Sequence, residues 1–191
     1  KHFSCTVEVD NDVNCITLGE FHKGAGVGSK NLCLLALGTG VGGGIVIDGK
    51  LVRGASGSAG ELGHMVVEKD GPHCTCGNRG CLETFCSSVG FVHILEKIKP
   101  LKPGSSANSE DLRDVSLYFD RAKKGETLAL EAFKLMGSYL GVGLSSLVNI
   151  FNPQMIVITG GISEAWDFFM PAALIELGSR AFQQPLKDAR V

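Results

Sequence analysis

The pattern of hydrophobic positions along the chain predicts strands first. Residues 32–37, LCLLAL, form a short continuous apolar run of the kind found in strands buried on both faces. The Asp-Gly pair at 48–49 separates two further apolar runs and indicates a hairpin. Residues 32–52 are therefore interpreted as a meander of two or three strands. The segments Phe3–Val9, 64–68 (HMVVE) and 155–159 (MIVIT) also have strand character.

Between and after these strands, apolar residues recur at helical spacing. The predicted helices cover residues 14–22, 82–99, 115–124, 126–151 and 164–181. The polar segment 100–111, which contains two prolines and several small residues, is predicted to be a loop. Antiparallel strands followed by a helix–strand–helix order are typical of a mixed α/β lobe.

Composition narrows the class of protein. The chain has 191 residues, 44% of them hydrophobic, which suffices for one ordinary core. Its formal charge of −2 gives no basic excess that would indicate nucleic acid. No apolar run reaches the roughly 18 residues of a membrane span, and the first residues do not resemble a signal peptide. Because the chain begins without Met and with strand-like residues, we expect the natural protein to extend in both directions.

Seven cysteines indicate the redox compartment. An odd number, scattered through apolar segments, is unlike the paired framework of a small secreted protein. We therefore expect a reduced, cytoplasmic chain. Cys5, Cys15, Cys33 and Cys86 are then interpreted as small buried hydrophobic residues.

The remaining three cysteines cluster in the segment HCTCGNRGC, residues 73–81. Cys74, Cys76 and Cys81 supply three of the four ligands that a tetrahedral zinc ion needs. His73 is poorly placed to complete the set because it is adjacent to Cys74, whereas His64 would arrive across a turn and Cys86 is a second possibility. The alternative is three unrelated thiols in a surface loop, which would be a reactive liability.

Two glycine-rich segments are candidates for phosphate binding. LGTGVGGG lies between predicted strands, where glycine N–H groups and the Thr39 hydroxyl could approach phosphate oxygens. VITGGIS joins a buried strand to a helix, and such a junction is a ready anion site. Each segment taken alone could instead be an ordinary turn, the second one capped by Ser163.

Three acidic residues are candidates for substrate chemistry. Asp12 opens a predicted helix, where the alternative role is an N-cap. Glu61 lies in a nearly uncharged glycine-rich stretch, GASGSAGELGH, which suggests a polar pocket that binds hydroxyl groups. Glu61 and Glu83 flank the cysteine loop, and their alternative is plain surface charge.

Taken in order, DNDVNCITLGE, LGTGVGGGIVIDGKLVRGASGSAGELGHM, CTCGNRGCLET and VITGGIS closely resemble the ROK family (repressors, open reading frames and kinases). The resemblance covers essentially the whole chain. It implies an α/β actin-like ATPase (ribonuclease H-like) fold of two lobes, with a mixed sheet flanked by helices and a zinc-binding loop. Residues 1–10 would end the smaller lobe or the segment between lobes, and residues 11–191 would form the larger lobe, truncated at both ends.

The resemblance also implies roles for individual residues. Asp12 matches the catalytic base. Asn11, Glu61, His64 and Glu83 match sugar contacts, and His64 with Cys74, Cys76 and Cys81 matches a structural Zn²⁺ site. Thr39 and Gly40 match a phosphate loop, and Gly160 and Gly161 match the adenosine loop. The implied activity is phosphorylation of a hexose or N-acetylhexosamine by ATP and Mg²⁺, in a homo-oligomer.

Two departures from the family pattern limit this expectation. The first phosphate hairpin and the last helix are absent from the sequence, so we expect the chain alone to be inactive or nearly so. The rival within the family is a sugar-sensing transcriptional repressor, which would bind nucleic acid through a module ahead of Lys1. A zinc-stabilised binding module without ATP chemistry is a third possibility, but it leaves the glycine loops unexplained.

Overall fold

A computed structural model describes residues 5–7, 9–98 and 114–191. Within these ranges the strands are β1 (Leu32–Leu37), β2 (Val41–Ile47), β3 (Lys50–Leu51) and β4 (Met155–Thr159). The α-helices are α1 (Asp12–Lys23), α2 (Glu83–Cys86), α3 (Phe91–Ile98), α4 (Val115–Lys123), α5 (Thr127–Phe151), α6 (Trp166–Arg180) and α7 (Gln183–Asp188). Short 3-10 helices cover Leu62–His64 and Gly161–Ala165.

The four strands form one mixed sheet in the order β3-β2-β1-β4. β1 pairs antiparallel with β2, from Leu32 opposite Val46, and parallel with β4, from Leu32 opposite Met155. The hairpin turn at 48–49 has positive φ at both residues, as a type I′ turn requires. The predicted meander and the strand at 155–159 are therefore confirmed.

The main core lies between the sheet and helices α2 to α6. Helix α5 crosses it, and its face toward α6 carries Gly137 and Gly141. A Cβ atom at Gly137 would meet the carbonyl of Phe169, and one at Gly141 would lie 2.5 Å from the carbonyl oxygen of Ala173. The two helices therefore pack backbone against backbone, which offsets the low helix propensity of glycine.

Two predictions about secondary structure are wrong, and a third differs only at its boundaries. Residues 64–68 do not form a strand, because the amides of Val67 and Glu68 both donate to the carbonyl of Gly80 in the cysteine loop. The predicted helix 82–99 is divided at Ser87, whose hydroxyl accepts a hydrogen bond from the amide of Gly90. The helix predicted from residue 164 begins at Trp166, after a 3-10 turn.

Some predictions lie outside the described residues. Of the predicted strand Phe3–Val9, the structure describes residues 5–7 and 9, none of which is in a strand. The predicted loop 100–111 is outside the described ranges. Helix α7 was not predicted. Of the four cysteines expected to be buried, Cys33 and Cys86 are buried, whereas the prediction is wrong for Cys5 and for Cys15, which lies on the exposed face of α1. Among the described residues, no helix is both long enough and apolar enough to cross a membrane.

Candidate metal centre and substrate cavities

Four side chains converge where the cysteine loop meets the first 3-10 helix. The ligand atoms of His64, Cys74, Cys76 and Cys81 all lie within 4.8 Å of one another. The Sγ atoms of Cys76 and Cys81 are 3.7 Å apart, and Nδ1 of His64 is 3.5 Å from Sγ of Cys74. A zinc tetrahedron with bonds of about 2.3 Å to sulfur and 2.0 Å to nitrogen has edges of about 3.5–3.8 Å. The donor set therefore fits Zn²⁺.

Backbone hydrogen bonds shape the loop that carries these ligands. The amide of Cys74 donates to the carbonyl of Asn78 (2.9 Å), and the amide of Gly77 donates to the carbonyl of Cys74 (3.0 Å). A β-bridge between Val66 and Cys81 brings the end of the loop back beside the segment that follows His64. The tight turn brings the three sulfur atoms within 4.8 Å of one another.

The two alternative fourth ligands point elsewhere. His73 places its Nε2 atom 2.6 Å from Nη2 of Arg79. Cys86 is fully buried in the core, and its thiol donates to the carbonyl of Met136. Burial raises the pKa of Cys86 far above that of an ordinary thiol, so it stays protonated at neutral pH. His64 is thus the residue that completes the cluster.

The thiols of the cluster differ in electrostatic environment. A hydrogen bond from the backbone of Asn78 lowers the pKa of Cys76. Burial raises the pKa of Cys81 to about 12. Thiolates are the zinc-binding form, so a metal ion binding here would displace the Cys81 proton and neutralise closely spaced negative charge.

A polar cavity of about 180 Å³ lies between the start of α1 and the glycine-rich loop. It is lined by Asn11, Val13, Asn14, Gly42, Gly43, residues 57–60 and Glu61. Asn11, rather than Asp12, caps α1, because Oδ1 of Asn11 accepts hydrogen bonds from the amides of Val13 and Asn14. Asp12 is the exposed first residue of the helix, next to Asn11, but it does not line the cavity itself.

His64 connects the metal cluster to this cavity. Its Nδ1 atom faces Cys74, and its Nε2 atom lies 3.9 Å from Oε2 of Glu61, which is too far for a hydrogen bond. Glu61 is mostly exposed. An imidazole nitrogen and a carboxylate held at this spacing could share one hydroxyl group.

Glu83 occupies a second cavity of about 280 Å³, together with Thr39, Gly40 and Cys74. Its Oε2 atom accepts a hydrogen bond of 3.0 Å from the amide of Val41. Of the predicted sugar contacts, the structure thus brings Asn11 and Glu61 to one cavity and Glu83 to the next.

A third cavity, the largest of the three at about 510 Å³, lies at one edge of the sheet. Because β1 and β4 are parallel neighbours, the residues that follow them, Gly38-Thr39 and Gly160-Gly161, meet there. Thr39 and Gly161 line the cavity, whereas Gly160 lies against the carbonyl of Leu37 and does not. Ser163 does not cap α6, since its hydroxyl donates to the carbonyl of Gly160 (2.6 Å).

Sequence reasoning missed the opposite wall of this cavity. Helix α4 and its cap contribute Asp114, Phe119, Asp120 and Lys123. Lys123 pairs with Asp120 at 2.6 Å and lies 4.3 Å from the centre of the Phe119 ring. The helix itself was predicted, but its position opposite Gly161 depends on tertiary packing that no local pattern reveals.

Comparison with known proteins identifies the fold. A glucokinase from Halalkalibacterium halodurans is 43% identical over 84% of this chain and 50% of its own length. A xylose repressor from Bacillus subtilis is 33% identical over 96% of this chain and 45% of its own. The structure of a ROK family glucokinase from Streptomyces griseus, in complex with glucose and AMPPNP, superposes with a TM-score of 0.74 and 30% identity, covering 88% of this chain and 56% of that one.

The chain spans about half the length of these curated relatives. Its mixed sheet flanked by helices matches the actin-like fold of the ROK sugar kinases. The sequence model of the ROK family matches residues 1–190, which is nearly the full chain. The chain therefore belongs to the ROK family.

Proposed function

We propose that this protein transfers the γ-phosphoryl group of ATP to a hydroxyl group of a hexose or N-acetylhexosamine. The observation that carries the proposal is the course of one segment, residues 38–43. Gly38 and Thr39 line the largest cavity, Thr39 and Gly40 line the second, and Gly42 and Gly43 line the polar one. A nucleotide and a sugar bound at the two ends of this segment would meet along it.

Asp12 is proposed as the general base. A sugar hydroxyl has a high pKa, and a carboxylate within hydrogen-bond reach can accept its proton as the new oxygen–phosphorus bond forms and the bond to ADP breaks. Oδ1 of Asp12 accepts a hydrogen bond of 2.9 Å from the amide of Val13, so its Oδ2 atom is the oxygen proposed to accept the proton. Mg²⁺ would neutralise phosphate charge.

In the polar cavity, which we propose as the sugar cavity, Asn11 and Glu61 are proposed to hold hydroxyl groups. His64, beside Glu61, and Glu83 are proposed as further sugar contacts. Thr39, Gly40, Gly160 and Gly161 are proposed to bind the nucleotide, with α4 as its opposite wall. His64, Cys74, Cys76 and Cys81 would hold a structural Zn²⁺, whose role is to fix the loop and the orientation of the His64 ring.

A sugar-sensing repressor is the second candidate function. It is favoured by the xylose repressor of Bacillus subtilis, which aligns with 96% of this chain. A repressor could use the same sugar cavity without catalysis. The identity of the hexose and the assembly into homo-oligomers remain predictions under both candidates.

A coupled ADP-release assay of the full-length protein over a panel of hexoses and N-acetylhexosamines tests the proposal. We expect Asp12→Asn to lower kcat by about 10²–10⁴-fold while sugar binding is retained. Asp167→Asn is the matched control, because Asp167 is also an exposed acid in the first turn of a helix, α6, and lines none of the three cavities.

An unchanged kcat in Asp12→Asn would remove Asp12 from the role of base. Sugar binding without sugar-dependent ADP release, in the unaltered protein, would favour the repressor. We also expect the 191-residue chain alone to turn over poorly, because phosphoryl transfer requires both substrates to be positioned together. Robust turnover by the purified chain would contradict that expectation.

A further inference from the structure

Asp10 accepts four hydrogen bonds from two separate parts of the chain. Its Oδ1 atom accepts from the amide of Asn11 and from Nδ2 of Asn14, both at 2.8 Å. Its Oδ2 atom accepts from Nη2 and Nε of Arg53, at 2.7 and 3.2 Å. The carboxylate therefore joins the start of α1 to Arg53, two residues after the end of β3.

These two parts of the chain are the two walls of the polar cavity. Asn11 and Asn14 belong to one wall, and residues 57–61 belong to the other. Arg53 anchors the loop that forms the second wall, because its carbonyl accepts a hydrogen bond of 3.1 Å from the amide of Ala59. Asp10 and Arg53 do not line the cavity.

The loop between Arg53 and Glu61 has little stiffness of its own. Gly54, Gly57 and Gly60 all have positive φ, and glycine is the residue with the greatest conformational freedom. The position of such a loop depends on its anchors. At one end Gly60 approaches the backbone of Gly43, and at the other Arg53 is held by Asp10.

We expect this ion pair to add little to the free energy of unfolding and to act mainly by fixing the relative positions of the two cavity walls. The Arg53 side chain is 51% exposed and that of Asp10 is 24% exposed, and partly exposed ion pairs add little to folding stability. The Nε and Nη2 atoms of Arg53 both donate to one carboxylate oxygen, however, and two donors on one planar guanidinium limit the direction of approach more than a single donor would. This contact fixes distance and orientation between the two walls.

We infer that the Asp10–Arg53 pair is a positioning device for catalysis, which sets the separation of the Asn11–Asp12 wall from the Glu61 wall around the reacting sugar. This inference rests on the proposed kinase function. Neither residue would touch the sugar or the phosphate. A misplacement of about 1 Å in such a site can cost about 100-fold in rate, so the pair would matter for turnover more than for folding.

The test uses Asp10→Asn, Asp10→Glu, Arg53→Gln, Arg53→Lys and the double variant Asp10→Asn with Arg53→Gln, in the full-length protein. Three quantities are measured: kcat and KM from ADP release, the sugar dissociation constant from calorimetry, and the melting temperature. Arg180→Gln is the control, because Arg180 forms an exposed ion pair of similar length with Glu176 on α6, outside the three cavities.

We expect kcat/KM to fall about 10- to 100-fold in Asp10→Asn and Arg53→Gln, with the melting temperature nearly unchanged. The double variant should be no worse than either single variant, because both remove the same contact. Asp10→Glu keeps the charge but is longer by one methylene, so it should restore only part of the loss, and Arg53→Lys, which lacks the fork, should restore less.

Variants that keep kcat/KM within about twofold of the unaltered protein, as expected for the Arg180→Gln control, would overturn the inference. So would additive losses in the double variant. If the unaltered protein binds sugar without turnover, the proposed function fails, and the pair is still tested through the sugar dissociation constant, which should rise in both single variants. If the unaltered protein neither binds nor phosphorylates a sugar, both proposals are overturned.

Discussion

The carboxylate of Glu83 accepts a hydrogen bond of 3.0 Å from the backbone amide of Val41. This contact joins the first residue of α2, directly after the cysteine loop, to the first residue of β2. The other carboxylate oxygen lies 3.8 Å from Sγ of Cys74. The metal cluster and the segment 38–43 are therefore held together through one side chain.

Two substitutions distinguish the structural role of Glu83, as the acceptor for the Val41 amide, from its proposed role as a sugar ligand. Glu83→Gln keeps an oxygen acceptor for Val41 but loses the charge, whereas Glu83→Ala leaves a backbone amide unpaired, at a cost of about 1–3 kcal/mol. We expect the Gln variant to melt near the unaltered protein and to bind sugar less tightly, and the Ala variant to lose stability as well. Melting temperature and sugar calorimetry measure these effects.

Glu131→Gln, at an exposed position of α5, is the control for this comparison. If Glu83→Gln binds every sugar like the unaltered protein, Glu83 is not a sugar ligand. An Ala variant as stable as the unaltered protein would show that the bond to Val41 contributes nothing.

The close packing of α5 on α6 predicts opposite effects on stability when two glycines are replaced by alanine. Gly137→Ala places a methyl group against the carbonyl of Phe169, and overpacking of this kind costs about 1–3 kcal/mol in the free energy of unfolding. Gly178→Ala, in the exposed part of α6 with no atom within 4 Å of the new Cβ, should stabilise the protein by about 0.5–1 kcal/mol. Urea unfolding of both variants checks the pair, and equal effects would contradict the backbone-to-backbone packing.

A cluster behind the cysteine loop predicts a loss of stability at alkaline pH. Nζ of Lys97 donates to Glu68 at 2.9 Å, and this bond raises the pKa of Lys97. Burial raises the pKa of Tyr139, whose hydroxyl also donates to Glu68. In both cases the folded state holds the proton more tightly, so the stabilisation is complete below about pH 10 and is lost as pH rises through the folded-state pKa values.

Unfolding by urea between pH 8 and 11.5 measures this loss. Lys97→Gln should flatten the decline, because it removes one of the two groups, whereas Lys187→Gln, on the exposed face of α7, should leave it unchanged. If the free energy of unfolding of Lys97→Gln falls with pH as steeply as that of the unaltered protein, Lys97 does not contribute to the alkaline loss of stability.

Much of the fold could be predicted from local pattern. The run LCLLAL predicted a strand buried on both faces, and β1 is indeed the central strand next to β2 and β4. The bounds of α4 and α5 fell within one residue of the prediction. These segments have strong periodicity and clear end signals, so tertiary contacts do not override them.

The errors arose where a distant partner decides the local structure. Residues 64–68 have the composition of a strand, but the amides of Val67 and Glu68 pair with the carbonyl of Gly80, which the cysteine loop brings back beside them. The break at Ser87 lies within a helical pattern, and there the amide of Ser88 donates to the distant carbonyl of Gly38 while the amide of Gly90 donates to the Ser87 hydroxyl. The approach of Phe119 and Lys123 to Gly161 is likewise a result of helix packing.

Some features of the candidate site could likewise be predicted from the sequence, and others could not. The three clustered cysteines indicated a metal from spacing alone, but the choice of His64 over Cys86 needed either the family resemblance or the structure. The role of Asn11 as the helix cap was not predicted. Nor was the Asp10–Arg53 contact, since 43 residues separate its partners in the sequence.

The measurement that tests the account most directly is the zinc content and zinc coordination of protein purified without added metal or chelator. We predict about one zinc per chain, with an X-ray absorption spectrum that fits three sulfur ligands at about 2.3 Å and one nitrogen at about 2.0 Å. Cys76→Ser should lose zinc, and Cys15→Ser, at an exposed cysteine outside the cluster, should keep it. Protein without zinc, or a spectrum without sulfur ligands, would contradict the metal centre on which the proposed sugar cavity depends.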